Sequence, residues 1–273
     1  MGEARASGEI PHAAREKLMA TDLRRTDLNE TDLNKTDLSK NDLNKNDLNK
    51  NDAEKEAAAR ASLRFIQSGQ VVGLGTGSTA AYFIRLLAEK VKNGLRIRGI
   101  PTSVRSKELA ESLGIPLTTL DECQEIDVTV DGADEVDPEL RLIKGGGGAL
   151  LREKIIASAT KNLVIVADVS KRVPVLGKFP LPVEVIQFAQ ALVAKRIANL
   201  GAEVRLRRAS DGNPFVTDEH NHILDCHFGE IRDADVLARH LSEMPGVVEH
   251  GLFIGMASTV LLANGSDIME LHR

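Results

Sequence analysis

Between Gln70 and Ser170, short apolar segments alternate with longer amphipathic ones, and this alternation limits the possible folds more than any other feature. The apolar segments have the length and β-branched content of buried strands. They are QVVGLG, RIRGIP, IDVTVDGADE and LVIVADVS. The intervening segments have helical spacing, and they are STAAYFIRLLAEKVKN, RSKELAESLG and ALLREKIIASATKN. Strands that alternate with helices predict an α/β fold with a doubly wound, mostly parallel sheet.

The alternation stops at GKFPLPVEV, where prolines suggest a crossing into a second domain. The patterns beyond it predict a second, smaller α+β domain. They are the strand PVEVI, the helix FAQALVAKRIANLG, the strand AEVRLRR, the paired runs NPFVT and HILDCHF, and the helix ADVLARHLSEMPG. We expect the strand-like closing stretch to return to the first sheet. The predicted domains are 53–176 together with 254–273, and 177–253.

Residues 1–52 are predicted to be a low-complexity extension. Residues 21–55 repeat every five positions, from TDLRR to NDAEK, a period that matches neither helix nor strand. The pattern resembles pentapeptide-repeat proteins, but the units are too few for a stacked solenoid. A flexible polar extension and a locally ordered segment both stay open. The folded body is predicted to begin at AEKEAAARASLRFIQSG, an amphipathic helix that Gly69 stops.

Charge and cysteine content exclude several classes of protein. A formal net charge of -5 gives no broad basic field, so we expect no nucleic-acid partner. Two cysteines, Cys123 and Cys226, are too few for a disulfide framework and fit a reducing compartment. The N-terminus lacks the apolar run of a secretory signal, and nowhere do eighteen apolar residues follow one another. We therefore expect a cytoplasmic protein without a membrane partner.

The segment GLGTGSTA, between a predicted strand and a predicted helix, is the first candidate site. Its glycines let backbone amides approach an anion at a helix N-terminus, and hydroxyls from Thr76, Ser78 and Thr79 add donors. A dinucleotide site would need glycine or alanine at Ser78 and an acid after the next strand. A small phosphate monoester is the better ligand. The alternative is a glycine-rich turn whose Ser and Thr only cap the helix.

Two further candidate sites follow. Asp131-Gly132-Ala133-Asp134-Glu135 ends an apolar strand, where an open α/β sheet places its ligands. Carboxylates there can accept hydrogen bonds from sugar hydroxyls. Lys144 precedes four glycines, and Glu153 lies nine residues after it in a predicted helix. A cation and free amides beside a carboxylate are the parts needed to remove a carbon-bound proton and stabilise the resulting oxyanion. The alternative for the first of these sites is that its acids are only solvated. The alternative for the second is that its four glycines form a linker without a function in binding or catalysis.

Five separated motifs, taken together, resemble the ribose-5-phosphate isomerase A family in their order and spacing. They are GLGTGSTA, DGADE, KGGGGALLREKI, ADVSK and GKFPLPVEV. The resemblance spans about residues 53–273 and implies a Rossmann-like catalytic domain. It also implies interconversion of ribose 5-phosphate and ribulose 5-phosphate in a homodimer or homotetramer, with no cofactor and no metal.

The resemblance also implies roles for particular residues. Glu153 would be the general base that moves a proton between C2 and C1 through a cis-enediolate, and Asp131, Asp134 and Lys144 would be the other catalytic residues. The implied substrate-binding residues are Thr76, Gly77, Ser78, Thr79, Asp131, Gly132, Ala133, Asp134, Lys144, Gly145, Gly146, Gly147 and Lys171. Lys55 matches a family lysine near the phosphate. Two residues depart from the family pattern, Gly148 in place of alanine and Leu151 in place of threonine. Both flank the site, so they bear on the rigidity of the loop and replace no implied catalytic residue.

Three alternatives stay open at the level of sequence. A non-catalytic sugar-phosphate sensor would share the binding residues but need no base. A coenzyme A transferase-like enzyme would need a larger nucleotide cleft. His220, His222 and His227 cluster around a turn-like stretch and could hold a metal, although histidines beside a polar turn are more often solvated.

Overall fold

The computed structural model describes residues 51–273, and the extension at 1–50 lies outside them. Among these residues the first helix, α1, covers 51–62, and it includes residues 51 and 52, which were predicted to belong to the extension. The later helices are α2 (Ser78–Lys92), α3 (Val104–Ser112), α4 (Leu150–Ser158), α5 (Gln190–Asn199) and α6 (Ala234–Ser242). Short 3₁₀ turns occupy Leu63–Phe65, Val169–Lys171 and Gln187–Ala189.

The strands predicted from the alternating pattern occur in the structure in the predicted order. They are β1 (Val71–Leu74), β2 (Arg98–Pro101), β3 (Ile126–Asp131), β4 (Glu135–Val136), β5 (Leu142–Ile143), β6 (Thr160–Asp168), β7 (Leu181–Val185), β8 (Glu203–Leu206), β9 (His222–His227), β10 (Val247–His250), β11 (Leu252–Phe253), β12 (Thr259–Asn264) and β13 (Asp267–His272).

The largest sheet has the order β13-β12-β6-β3-β1-β2. All neighbours in it are parallel except the edge strand β13, which pairs antiparallel with β12. Its central strands are buried on both faces, as parallel strands covered by helices must be. Phe83 and Leu87 of α2 pack against Val130 of β3 in the main core. The predicted doubly wound sheet is confirmed, and β12 confirms that the closing stretch returns to it.

A smaller antiparallel sheet has the order β10-β7-β9-β8. In the sequence, α5 lies between β7 and β8, and α6 lies between β9 and β10. Val193 and Ile197 of α5 and Leu241 of α6 are buried in its core. A three-stranded sheet, β11-β5-β4, pairs Leu252 with Ile143. The predicted smaller α+β unit is thus confirmed as secondary structure. The residue bounds of the two domains stay a prediction.

Three predicted elements differ from the structure. The first helix gives way after Ser62 to the 3₁₀ turn Leu63–Phe65, so Gly69 does not end it. The helix expected to run through Asn162 ends at Ser158, and Thr160 already belongs to β6. Pairing decides this, because Thr160 lies opposite Ile126 and its hydroxyl contacts that of Thr129 at 2.6 Å. The run NPFVT forms only isolated bridges, such as Val216 with His222, and is not a strand.

No helix within residues 51–273 has the length and apolar content to cross a bilayer. Cys123 and Cys226 are both free thiols.

Candidate active site

The loop between β1 and α2 is packed tightly against β3. A Cβ on Gly75 would lie 2.4 Å from Oδ1 of Asp131 and 2.5 Å from the carbonyl oxygen of Val130. Gly77 precedes α2 with φ of 106°, a value that favours glycine. It has no side chain to cap the helix, so the first amides of α2 stay available to a ligand. Ser78 and Thr79 form the first turn of this helix.

Thr76 differs from its neighbours in the same loop. Its hydroxyl contacts the hydroxyls of Thr102 at 2.7 Å and Ser103 at 2.8 Å, and its amide donates to Asp131 at 3.0 Å. The side chain is therefore engaged inside the protein, although Thr76 borders the cleft. Ser78 and Thr79 are therefore better candidates than Thr76 to donate a hydroxyl hydrogen bond to a phosphate.

A buried ammonium joins the second and third motifs. Nζ of Lys144 lies 3.0 Å from Oδ2 of Asp131 and 3.4 Å from Oε2 of Glu153, and it donates to the Gly132 carbonyl at 2.6 Å. Asp131, Lys144 and Glu153 are each at most 4% exposed. Within residues 51–273, Oε2 of Glu153 is the one buried side-chain oxygen or nitrogen without a hydrogen-bond partner. Its contact with Lys144 is electrostatic, and the oxygen can accept a proton.

The charges of this cluster are unequal, with three carboxylates around one ammonium. The pKa of Glu153 is raised to about 8. Burial is the largest cause, Lys144 acts in the opposite direction, and the charges of Asp131 and Asp134 add to the rise. Burial acts to lower the pKa of Lys144, but attraction by Asp131 and Glu153 outweighs burial and leaves this pKa raised. Lys144 therefore stays protonated, and the carboxylate of Glu153 becomes a stronger base than in water.

The glycine loop after Lys144 needs its glycines for different reasons. Gly145 and Gly148 have φ of 101° and 83°. The Gly146 amide donates to Oδ2 of Asp134 at 2.7 Å, and a Cβ there would lie 2.5 Å from Oδ1 of the same residue. A Cβ on Gly148 would lie 2.5 Å from the ring of Phe215. At Gly148 the backbone conformation and the Phe215 ring therefore both disfavour alanine.

One cleft of about 240 Å³ is lined by residues of four of the five motifs, and no residue of GKFPLPVEV lines it. Most predicted site residues line it, namely Thr76, Gly77, Ser78, Thr79, Gly132, Ala133, Asp134, Lys144, Gly145, Gly147, Glu153 and Lys171. Asp131 and Gly146 do not line it, but contact residues that do. The substrate-binding roles stay predictions.

The cleft also has residues that the sequence analysis missed or treated only in passing. Asp168 and Ser170 line it, and the Asp168 carboxylate accepts from the Ser170 amide at 3.0 Å. Asp168 ends β6 as Asp131 ends β3, so the same strand-end argument could have found it. Lys55 lines the cleft with Lys171, and its ammonium lies 3.4 Å from Asp52. These cations and the α2 N-terminus favour an anionic ligand.

The three clustered histidines do not form a site in the structure. His222 and His227 lie at opposite ends of β9, and Nδ1 of His222 contacts Oε1 of Gln190 at 2.6 Å. His220 lies in the preceding turn with φ of 61°. Across residues 51–273, no group of three or more histidine, cysteine or acidic side chains is arranged to hold a metal ion.

Comparison with known proteins gives one consistent family. The model of ribose 5-phosphate isomerase A (phosphoriboisomerase A) matches residues 98–267. Ribose-5-phosphate isomerase A from Parvibaculum lavamentivorans is 53% identical over 223 residues, which are 79% of this chain and 96% of that protein. Its counterpart from Rhodopseudomonas palustris strain BisB5 is 55% identical over 224 residues, covering 80% and 96%.

Solved structures agree with the sequence relatives. A D-ribose-5-phosphate isomerase in complex with phospho-erythronic acid has a TM-score of 0.79 and 42% identity, covering 81% of this chain and 98% of that one. The ribose 5-phosphate isomerase A of Methanocaldococcus jannaschii also has a TM-score of 0.79, with 40% identity over 82% and 100%. The chain is an isomerase that belongs to the ribose-5-phosphate isomerase A family.

Proposed function

We propose that the chain interconverts D-ribose 5-phosphate and D-ribulose 5-phosphate, with Glu153 as the general base. One observation carries the proposal: a carboxylate only 4% exposed borders the cleft 3.4 Å from a buried ammonium. An aldose–ketose isomerase needs a base for the carbon-bound proton and a positive charge for the adjacent oxygen. Glu153 and Lys144 have these properties.

The phosphate is proposed to bind at the N-terminus of α2. Ser78 and Thr79 would donate through their amides and hydroxyls, and Lys55 and Lys171 would add positive charge from the cleft wall. A monoester bound there would hold one end of a five-carbon sugar phosphate. The sugar would then extend toward Glu153 within the same cleft.

The chemistry would proceed in two stages. Asp131, Asp134 and Lys144 would first assist opening of the furanose ring and then hold the linear sugar. Glu153 would next remove the proton from C2 of the aldose and return it to C1, through a cis-enediolate. The ammonium of Lys144, fixed by Asp131 and Gly132, would offset the negative charge that develops on oxygen. Lys144 could also relay a proton between the two oxygens.

The proposed chemistry requires no cofactor or metal, because Lys144 and loop amides supply the positive charge. We also propose that the protein is cytoplasmic and that it acts as a homodimer or homotetramer. A direct test adds ribose 5-phosphate to the purified chain and measures ketose formation before and after treatment with a chelator. We expect equal rates in both cases. A rate lost to the chelator and restored by one divalent ion would contradict the metal-free mechanism, and absence of ketose would contradict the function.

A further inference from the structure

Arg207, which directly follows β8 of the smaller sheet, contacts the glycine loop of the candidate active site. Its Nη1 donates to the carbonyl of Gly145 at 2.8 Å and to that of Gly146 at 3.2 Å. The rest of the guanidinium pairs with Asp225 of β9, with Nε 3.0 Å from Oδ2. The Arg207 side chain is 13% exposed. Because the planar guanidinium is hydrogen-bonded both to Asp225 and to the loop, it is a fixed support for the loop.

These two hydrogen bonds determine where the loop amides point. A trans peptide is planar, so its N–H lies on the edge opposite its C=O. Because the Gly145 carbonyl faces Arg207, the Gly146 amide faces away, and it donates to Asp134 at 2.7 Å. By the same geometry the Gly147 amide faces away from Arg207. It donates to no acceptor within residues 51–273, and Gly147 lines the cleft.

The Gly145–Gly146 peptide has further support, because the Gly145 carbonyl also accepts from the Gly148 amide at 3.0 Å. Within residues 51–273, Arg207 provides the one hydrogen bond to the Gly146–Gly147 peptide. Glycine has access to both halves of φ space, so a peptide between two glycines can rotate at low cost. If the Gly146–Gly147 peptide rotated, a carbonyl oxygen would replace an amide beside the developing negative charge. Donors aimed in advance at such a charge make a large contribution to catalysis, and an acceptor in their place would oppose it.

We propose that Arg207 is a positioning residue for the isomerisation. It holds the carbonyls of Gly145 and Gly146 on the outer side of the loop, which keeps the Gly147 amide aimed into the cleft at the enediolate oxygen. Asp225 in turn holds the guanidinium. This inference rests on the proposed function and adds to it a residue of the smaller sheet that does not line the cleft.

The chain contains a matched control for this residue. Arg205 lies two positions earlier on β8. Within the described part of the chain its side chain pairs with Glu203 alone, at the surface, and is 66% exposed. We expect Arg207→Ala to lower kcat by about 10- to 100-fold, somewhat less than direct loss of one oxyanion donor. KM should change less than about threefold, because the phosphate contacts remain. Arg205→Ala should keep both constants within about twofold.

A binding measurement separates positioning from general loosening of the fold. Phospho-erythronic acid presents a carboxylate with negative oxygens like those of the enediolate, whereas inorganic phosphate probes only the phosphate end. Arg207→Ala should weaken binding of phospho-erythronic acid by about tenfold and leave phosphate affinity unchanged. This measurement needs no turnover, so it tests the positioning role even if the wild-type chain shows no isomerisation.

Arg207→Lys and Asp225→Asn complete the test. The lysine variant keeps one charge but loses the fork, so its kcat should fall between those of wild type and Arg207→Ala. The Asp225→Asn variant keeps Arg207 and should lower kcat severalfold, and it decides the matter if Arg207→Ala does not fold. A folded Arg207→Ala with wild-type kcat would overturn the proposal. Equal loss of both ligands, or an unchanged kcat in Asp225→Asn, would overturn it as well.

Discussion

The two glycine-rich loops of the cleft have similar compositions but are supported in different ways. In the first loop, Gly73 and Gly75 lie against β3, where added methyl groups would meet the Thr129 side chain and the Val130 carbonyl. In the second loop, Gly145 and Gly146 are hydrogen-bonded by Arg207, and Gly148 lies against the ring of Phe215. The sheet thus supports one loop, and side chains from a later part of the chain support the other.

This difference indicates a division of labour within the cleft. A loop packed on a sheet presents the fixed N-terminus of α2, which suits a bound phosphate. A loop oriented by side chains can aim single amides beside Lys144 and Glu153, which suits a charge that exists only during the reaction. Changes near the first loop should therefore affect binding and stability, and changes near the second should affect turnover.

The largest expected effect is at Glu153. Glu153→Gln keeps the size of the side chain but cannot accept a proton, so turnover should fall by about 10²- to 10⁴-fold while ribose 5-phosphate still binds. Asp235→Asn is the matched control, because Asp235 is also a first-turn helix acid but is 59% exposed. Its loss should affect stability rather than turnover, through the helix-dipole contribution of about 0.3 to 1 kcal/mol and a weak, exposed ion pair with Arg141 at 3.8 Å. Near-normal turnover in Glu153→Gln would remove the base from the mechanism.

The next effect separates the two ends of the substrate. Ser78→Ala should weaken ribose 5-phosphate binding by about 1.5 to 3 kcal/mol, the range for a hydrogen bond to a charged group, and weaken free ribose far less. Titration calorimetry with both ligands measures the difference. Ser112→Ala is the control, because that hydroxyl bonds its own helix at the Leu109 carbonyl. If both ligands weakened equally in Ser78→Ala, the phosphate would bind elsewhere.

A stability comparison tests the support of the loops directly. Gly75→Ala forces a methyl group against the backbone of β3 and should lower the free energy of unfolding by about 1 to 3 kcal/mol. At Gly147 the nearest atom to an added Cβ is the Thr76 methyl at 3.6 Å, an ordinary contact. Gly147→Ala should therefore change stability by less than about 0.5 kcal/mol. Denaturant unfolding of both variants checks this, and equal losses would contradict the proposed difference.

The pH dependence concerns only the reaction end. Glu153 acts when ionised, and its pKa is raised to about 8, so kcat/KM should fall about tenfold per pH unit below that value and level off above it. The folded state holds this proton where the unfolded state has lost it. Stability should therefore fall as pH rises from about 4.3 to 8, and Glu153→Gln should abolish that contribution. A kcat/KM flat from pH 6 to 9 would contradict the raised pKa.

Much of the fold could be predicted because its buried strands stand out in the sequence as short runs of apolar residues. The run IDVTVD is apolar enough to identify β3, and the acid that ends it identified one edge of the cleft. The end of α4 could not be predicted, because Thr160 joins β6 through its pairing with Ile126, a contact far away in sequence. Helical spacing alone carries no information about such a partner.

The candidate site was predictable where one motif carries the chemistry and unpredictable where distant residues orient it. Lys144 and Glu153 lie nine residues apart, and both were identified. Arg207 lies 62 residues beyond Gly145, within VRLRR, where alternation suggests only a charge on an exposed strand. Phe215 likewise resembled part of a strand. Their contacts with the glycine loop depend on how the smaller sheet is placed, which no local pattern encodes.

The position of β12 has a consequence for how the protein is made. This strand pairs with β6 in the large sheet, and Val260, Leu261 and Leu262 are fully buried there. Every residue of the smaller sheet is synthesised between these two partners. While the ribosome translates that sheet, β6 therefore has an unpaired apolar edge, the kind of edge on which chains aggregate. Rapid folding of the smaller sheet during translation would shorten the time for which that edge stays exposed.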